Sequence, residues 1–299
     1  MTPDAQAILE SWTAPIGINV TLCLALLVYT IGWLRLRKVF TNLIPAWRLA
    51  AFSAGIVSLW IAVGSRLEAF DDVSLSIHMV QHLLLMAVAP PLILLGAPTL
   101  PLLHGLPRWM VRGSVGRIFR WPQTQRLGHV LTDPAVCWIA ASVALIAWHI
   151  PVAFELALRS APWHKIEHAC FFGTSLMFWW PVIQPFPSVA KWPAWSVPLY
   201  LFLGTLPGAA LGAFLTFCDR ILYPSYASAP MVFHESHLDD QVFAGAFMWV
   251  FGTLVYTVPA VILTVQLLSG QTISRGNETT IHLRELAGHR SEQSQPGVT

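Results

Sequence analysis

The sequence predicts an all-α integral membrane protein that folds as a seven-transmembrane-helix bundle, with its N-terminus outside and its C-terminus in the cytoplasm. The first observation behind this prediction is composition. Of the 299 residues, 55% are hydrophobic and only 11% are charged, and the mean hydropathy is +0.60. A soluble domain carries about 25% charged residues. This chain cannot cover a water-facing surface, so lipid must surround most of it.

The second observation is a series of seven apolar runs, each close to the roughly 20 residues that a membrane-spanning helix needs. The runs cover residues 16–34, 47–65, 75–97, 134–151, 164–183, 195–217 and 241–268. We therefore predict one seven-span membrane domain over residues 1–268. The remaining residues, 269–299, are polar and contain Gly, Ser, Gln and Pro, which predicts a disordered cytoplasmic tail.

The third observation is the distribution of positive charge. The connections that follow spans one, three and five, together with the tail, hold 13 Lys and Arg residues, whereas the other side holds four. Cytoplasmic connections of membrane proteins carry the excess of Lys and Arg. This asymmetry places the N-terminus outside and the C-terminus inside, and it requires an odd number of spans.

Span three contains a second signal, the sequence Ala89-Pro90-Pro91 near its middle. Proline lacks a backbone donor and clashes with the preceding turn. We therefore predict that the regular helix is interrupted there.

Histidines gather at the predicted outer ends of the spans. His78 and His82 open span three, His164 and His168 open span five, and His149 closes span four. An i, i+4 pair lies on one helix face, so each pair can give two imidazoles to one ion. A single histidine at such a position is ordinarily just an interfacial residue, but polar groups within an apolar bundle tend to mark function. The set predicts a metal or cofactor site near the outer face.

Other side chains are candidates to join this site. Asp240, at the start of span seven, is a candidate ligand. Glu167 is expected to support a ligand instead, because neighbours on a helix point about 100° apart. His234 and His237 are weaker candidates in the loop before span seven. Imidazole suits copper, zinc, iron and nickel, methionine favours Cu(I), and haem is also an open possibility.

Several motifs resemble those of the multi-span CtaG family of caa-type cytochrome c oxidase assembly factors. The longest is His78-Met79-Val80-Gln81-His82-Leu83-Leu84-Leu85-Met86, continuing to Ala89-Pro90-Pro91 and Leu95-Gly96-Ala97-Pro98. The others are Trp148-His149-Ile150-Pro151, His164-Lys165-Ile166-Glu167-His168 leading to Phe178-Trp179-Trp180-Pro181, and Asp240-Gln241 followed by Ala244-Gly245 and Met248-Trp249. The similarity runs from about residue 50 to residue 265.

The resemblance implies a protein of the bacterial plasma (inner) membrane that helps to mature a haem–copper oxidase, with copper as its cargo. Its partners would be cytochrome c oxidase subunits and membrane lipid, and we expect no nucleic acid partner. The family's recurring polar residues correspond here to His78, His82, His149, His164, His168 and Asp240, which are the expected metal ligands. The sequence has no nucleophile–base pair and no nucleotide loop, so we expect no enzyme.

Two other functions compete with copper loading. A membrane haem protein that transfers electrons would also use paired histidines. A copper transporter would need a polar path through the membrane, yet the predicted inner halves of the spans offer almost no ligands. Loading at the outer face is therefore favoured over transport.

Overall fold

The computed structural model describes residues 3–38, 44–111, 113, 121–185, 192–232 and 236–269. Within these ranges the chain is helical, and no strand occurs. The predicted tail lies outside the described residues from position 270 onward, as does His234. The helices are α1 (Pro3–Ser11), α2 (Ile16–Arg37), α3 (Ala46–Val63), α4 (Leu75–Leu83), α5 (Ala89–Leu95), α6 (Thr99–Gly105), α7 (Arg108–Met110), α8 (Pro122–Leu131), α9 (Pro134–His149), α10 (Pro151–Leu158), α11 (Ala161–Ile183), α12 (Ser196–Phe217), α13 (Pro224–Ala227) and α14 (His237–Leu268).

Five of the predicted spans are long and apolar enough to cross a membrane. They are Ile16–Arg37, Ala46–Phe70, Leu75–Leu95, Ser196–Phe217 and His237–Leu268. A sixth is possible if α8 and α9, which meet at an angle of 68°, form one broken span. The described helices therefore support five or six spans.

The other predicted spans differ from these five in length or polarity. Helix α9 has only 16 residues. Helix α11 has 23 residues, enough to span, but its first half carries Lys165, Glu167 and two histidines. A count of seven spans and the orientation of the termini remain predictions.

The interruption expected in span three is a π turn at Leu84–Val88, between α4 and α5. Here the Ala89 N–H bonds to the carbonyl of Leu84, five residues back. Pro90 cannot donate to the Met86 carbonyl four residues before it. The indole N–H of Trp179 donates to that carbonyl instead, at 3.1 Å. A side chain of α11 thus completes the backbone hydrogen bonding of span three.

Helix α6 folds back against α2 in a very close contact that depends on glycine. A Cβ atom added to Gly32 would lie 1.7 Å from the carbonyl oxygen of Pro101, and one added to Gly105 would lie 1.9 Å from that of Val28. Close approach of helix backbones through small residues is typical of packing in membranes, where dispersion forces replace the hydrophobic effect.

The ends of four helices meet at one end of the bundle. Helices α4, α11 and α14 begin there, and α9 ends there. Contacts between their side chains, described next, join all four. The candidate site is built at this meeting point.

Candidate metal centre

The start of α4 is fixed by a carboxylate from another helix. Asp240 of α14 accepts hydrogen bonds from the Leu75 N–H at 2.7 Å and from the Ser76 N–H at 3.1 Å. It also accepts the hydroxyls of Ser74 and Ser76. The first N–H groups of a helix have no partner within it, and a negative charge there is also stabilised by the positive end of the helix dipole. Asp240 thereby sets how α4 presents His78.

Five histidine rings lie together just beyond this helix start. The ring centroids of His78 and His82 are 4.3 Å apart, and those of His164 and His168 are 4.1 Å apart. The two pairs face each other, with 5.3 Å between His78 and His164. His149 joins from α9, where its ring is 5.8 Å from that of His82. The structure thus brings together the five imidazoles that the sequence singled out.

Glu167 lies among these rings. Its carboxylate oxygens are 3.9 Å from His78 Nε2 and 3.7 Å from His82 Nε2. Atoms of these three side chains lie within 4.8 Å of one another, close enough for one metal ion to draw them together. We call this set, His78, His82 and Glu167, the inner group.

The inner group is buried, and most of its polar atoms are unpaired. His78 and Glu167 are fully buried, and His82 is 2% exposed. Among the described residues, no hydrogen-bond partner is present for His78 Nε2, for either ring nitrogen of His82, or for either oxygen of Glu167. Buried polar atoms almost always have partners, and an unpaired one costs about 1–3 kcal/mol. A bound cation would satisfy such a set.

Asp71 extends the cluster toward the loop before α4. Its carboxylate is 3.6 Å from His164 Nε2, and its backbone carbonyl accepts the hydroxyl of Tyr226 at 2.6 Å. Burial, and then repulsion from Asp72 and Glu68, raises the pKa of Asp71 well above its usual value. A nearby cation would favour the charged form of this carboxyl.

His149 is held from two sides. Its Nδ1 lies 2.8 Å from the carbonyl of Leu145, and its own carbonyl accepts the hydroxyl of Tyr223 at 3.1 Å. Its Nε2 lies 3.5 Å from the sulfur of Met79. Backbone hydrogen bonds of this kind orient metal-binding histidines in known sites.

A pocket of about 450 Å³ leads to one side of the cluster. It lies between the start of α2, the end of α3 and the start of α11, and most of its lining is apolar. His164 and His168 form part of its wall, and Glu68 and Lys165 are its charged residues. His164, with 14% of its side chain exposed, is the most accessible imidazole of the cluster.

The predicted metal ligands, five histidines and Asp240, do not all lie together in the structure. The five histidines converge, whereas the Asp240 carboxylate bonds to the first turn of α4 and lies outside the inner group. Glu167, which we expected to support a ligand, points at two imidazoles instead. The sequence contains a signal for this, because Glu167 follows His164 by three residues and so shares its helix face. His237 is the first residue of α14, not part of a loop.

The fold and the site together define a helical protein with apolar, membrane-length helices and a buried group of side chains whose types could ligate a metal ion. Residues 27–269 match the family described as the cytochrome c oxidase caa3 assembly factor family, Caa3_CtaG. The chain belongs to this family, and the resemblance identified from the motifs is confirmed.

Curated relatives occur in mycobacteria. The chain is 24% identical over 272 residues to uncharacterized proteins of Mycobacterium bovis and Mycobacterium tuberculosis, which covers 88% of this chain and 40% of each relative. It is 24% identical over 283 residues to an uncharacterized protein of Mycobacterium leprae, of which it again spans 40%. The chain therefore spans about two fifths of the length of these relatives. No solved structure matches it.

Proposed function

We propose that this protein is an oxidase assembly factor that binds copper in the inner group and passes it to a cytochrome c oxidase subunit. The observation that carries the proposal is the convergence of two imidazoles and a carboxylate whose buried atoms have no hydrogen-bond partners. His164, His168 and His149 surround this group and supply further nitrogen ligands.

The donor set fits a metal ion. Two ligand atoms bound to one ion at about 2.0–2.2 Å lie roughly 3–4 Å apart. The 3.7 Å and 3.9 Å separations between Glu167 and the two imidazoles already fall in that range. Imidazole nitrogen binds copper well, and copper is the ion that a haem–copper oxidase needs during assembly.

The packing supports an ion more than haem. Haem takes its axial histidines from facing helices. The facing rings of His78 and His164 are stacked against each other with their centroids 5.3 Å apart, which leaves no room for a porphyrin between them. Phe154 and Phe171 pack against His78 and His82 at 4.9 Å and 4.5 Å. An absorption spectrum of the purified protein tests this directly, since a Soret band would favour the haem alternative.

Copper binding by purified protein in detergent tests the proposal. His82→Ala and Glu167→Gln should each weaken copper affinity by at least about tenfold. His104→Ala is the matched control, because His104 is exposed, bonds to the Leu100 carbonyl and lies outside the cluster. Equal affinity in the wild type and both inner-group variants would contradict the assignment.

A deletion strain tests the role in the cell. Loss of the protein should lower haem–copper oxidase activity without lowering oxidase transcription, because assembly follows synthesis. Added copper should restore part of the activity if the protein delivers copper. Unchanged activity, in a strain whose only terminal oxidase is of this type, would count against an assembly role.

A further inference from the structure

His149 and Met79 form a contact that the inner group does not include. His149 Nε2 lies 3.5 Å from Met79 Sδ. The Met79 side chain is fully buried, and His149 is 4% exposed. Met79 comes from α4, between the two histidines of that helix, and His149 is the last residue of α9.

The chemistry of the two atoms makes this contact unusual. The Leu145 carbonyl can only accept a hydrogen bond, so His149 Nδ1 must carry a proton to bond with it. In the neutral ring, Nε2 then carries no proton and presents a lone pair. The thioether sulfur of Met79 also has no proton to donate. Two electron-pair donors therefore face each other in a buried position.

A charged ring is not supported by its surroundings. Protonation of Nε2 would create an imidazolium, and among the described residues no carboxylate lies within ion-pair distance of His149. Burying a charge without a partner is strongly unfavourable. A cation between nitrogen and sulfur would instead satisfy both donors.

The distance is suitable for such a cation. With metal–nitrogen and metal–sulfur bonds of about 2.0 and 2.3 Å, a 3.5 Å separation corresponds to an angle of roughly 110° at the ion. Thioether sulfur together with imidazole favours Cu(I) over harder divalent ions. The inner group contains a carboxylate and therefore favours harder divalent ions over Cu(I).

We propose that His149 and Met79 form a second, soft metal position beside the inner group, one that takes Cu(I) and for which Ag(I) is a suitable probe. This inference deepens the proposed copper-handling function and rests on it. The ring of His149 is 5.8 Å from that of His82, so the two positions adjoin. The cluster would then offer copper a nitrogen–oxygen environment and a nitrogen–sulfur environment in contact with each other.

X-ray absorption of the purified full chain loaded with Cu(I) tests this proposal. The wild type should show a sulfur scatterer at about 2.3 Å from copper. Met79→Leu, which nearly conserves volume, should remove that scatterer and weaken binding of Cu(I) and Ag(I) by at least about tenfold. Met248→Leu is the matched control, because Met248 is a buried methionine of the same apolar cluster. It should leave both the scatterer and the affinities unchanged.

Binding of divalent copper separates this inference from the proposed function. The His82- and Glu167-dependent affinity should be the same in the wild type and in Met79→Leu, which also shows that the variant is folded. If the wild type binds divalent copper but its Cu(I) form shows no sulfur scatterer, only the soft position is overturned. The contact between His149 and Met79 would then be ordinary packing of a sulfur atom against a ring. A scatterer that persists in Met79→Leu would likewise overturn it. Absence of all copper binding would overturn the proposed function itself.

Discussion

Asp240 shows how one side chain can position a site without belonging to its inner group. Its carboxylate bonds to two backbone N–H groups at the start of α4, and His78 and His82 follow on the same helix, about one and two turns further along. The link between α14 and α4 therefore sets the rotation and depth of two imidazoles. A change at Asp240 should affect both stability and metal affinity.

Asp240→Asn tests this role. Asparagine keeps one acceptor oxygen but loses the other and the negative charge, so we expect a loss of about 1–3 kcal/mol in stability and weaker copper binding. Asp239→Asn is the control, because among the described residues that exposed carboxylate accepts only the nearby Ser236 hydroxyl, and a change of about 0.5 kcal/mol or less is expected. Thermal unfolding in detergent measures the stability of both variants. Equal melting temperatures for Asp240→Asn and Asp239→Asn would contradict the positioning role of Asp240.

Glu155 links α13 to its own helix, α10. It accepts the Ser225 N–H at 2.9 Å and the Ser225 hydroxyl at 2.6 Å, and it pairs with Arg159 at 2.8 Å. Burial acts to raise the pKa of Glu155, but these donors and Arg159 outweigh it and hold the pKa below its usual value of 4.5. The charged form is therefore the one that stabilises the fold.

The pH dependence of stability follows from that direction. Because the pKa of Glu155 is depressed in the folded state, its contribution is present above about 4.5 and is lost as pH falls below that value. Glu155→Gln should melt at a lower temperature than the wild type at neutral pH, and the gap should narrow on acidification. A gap that stays constant down to acidic pH would contradict this assignment.

At the scale of elements, the turn between α4 and α5 depends on a donor from α11. Trp179→Phe would leave the Met86 carbonyl without its indole partner, a loss of about 1–3 kcal/mol beyond that of the smaller ring. Trp138→Phe is the matched control, because among the described residues the Trp138 indole N–H has no partner. Trp138 also packs against the same apolar cluster as Trp179. Melting in detergent should separate the two variants, and equal losses would disprove the role of the hydrogen bond.

The apolar pattern and Pro90 predicted where the elements lie, but they predicted neither the form of the interruption in span three nor the start of α14. Pro90 indicated the interruption in span three, but its form as a π turn depends on Trp179, which is distant in sequence. Helix α14 begins four residues earlier than the predicted span. Ser236 caps it by accepting the Asp239 N–H, a local signal that the apolar pattern alone did not use.

The sequence also predicted some features of the candidate site and missed others. The i, i+4 spacing of the histidines indicated two shared faces, and the helices bring these faces together. The partner of Asp240 could not be predicted, because the start of α4 is 164 to 166 residues away along the chain. The placement of Glu167 beside the imidazoles of His78 and His82 has a local signal, because Glu167 lies three residues after His164 and shares its helix face.

At the scale of the whole molecule, composition identified the apolar helices, and reporter fusions test the span count and the orientation. We expect a reporter fused at the C-terminus to be active only if it works in the cytoplasm, because 13 of the 17 Lys and Arg residues lie on that predicted side. A fusion after residue 159, between α10 and α11, should give the opposite signal. An external signal at the C-terminus would refute both the odd span count and the orientation.

The exposure of His164 has a consequence for the kinetics of copper release. A copper ion bound in the inner group, as proposed, would be enclosed by buried side chains, and the most exposed part of the cluster is the His164 imidazole at the wall of the pocket. Release would therefore proceed by stepwise ligand exchange, with each new bond formed at His164 before a deeper one breaks. A chelator too bulky for the pocket would extract the ion at a rate independent of its own concentration. An acceptor that reaches His164 would instead accelerate release in proportion to how much of it is present.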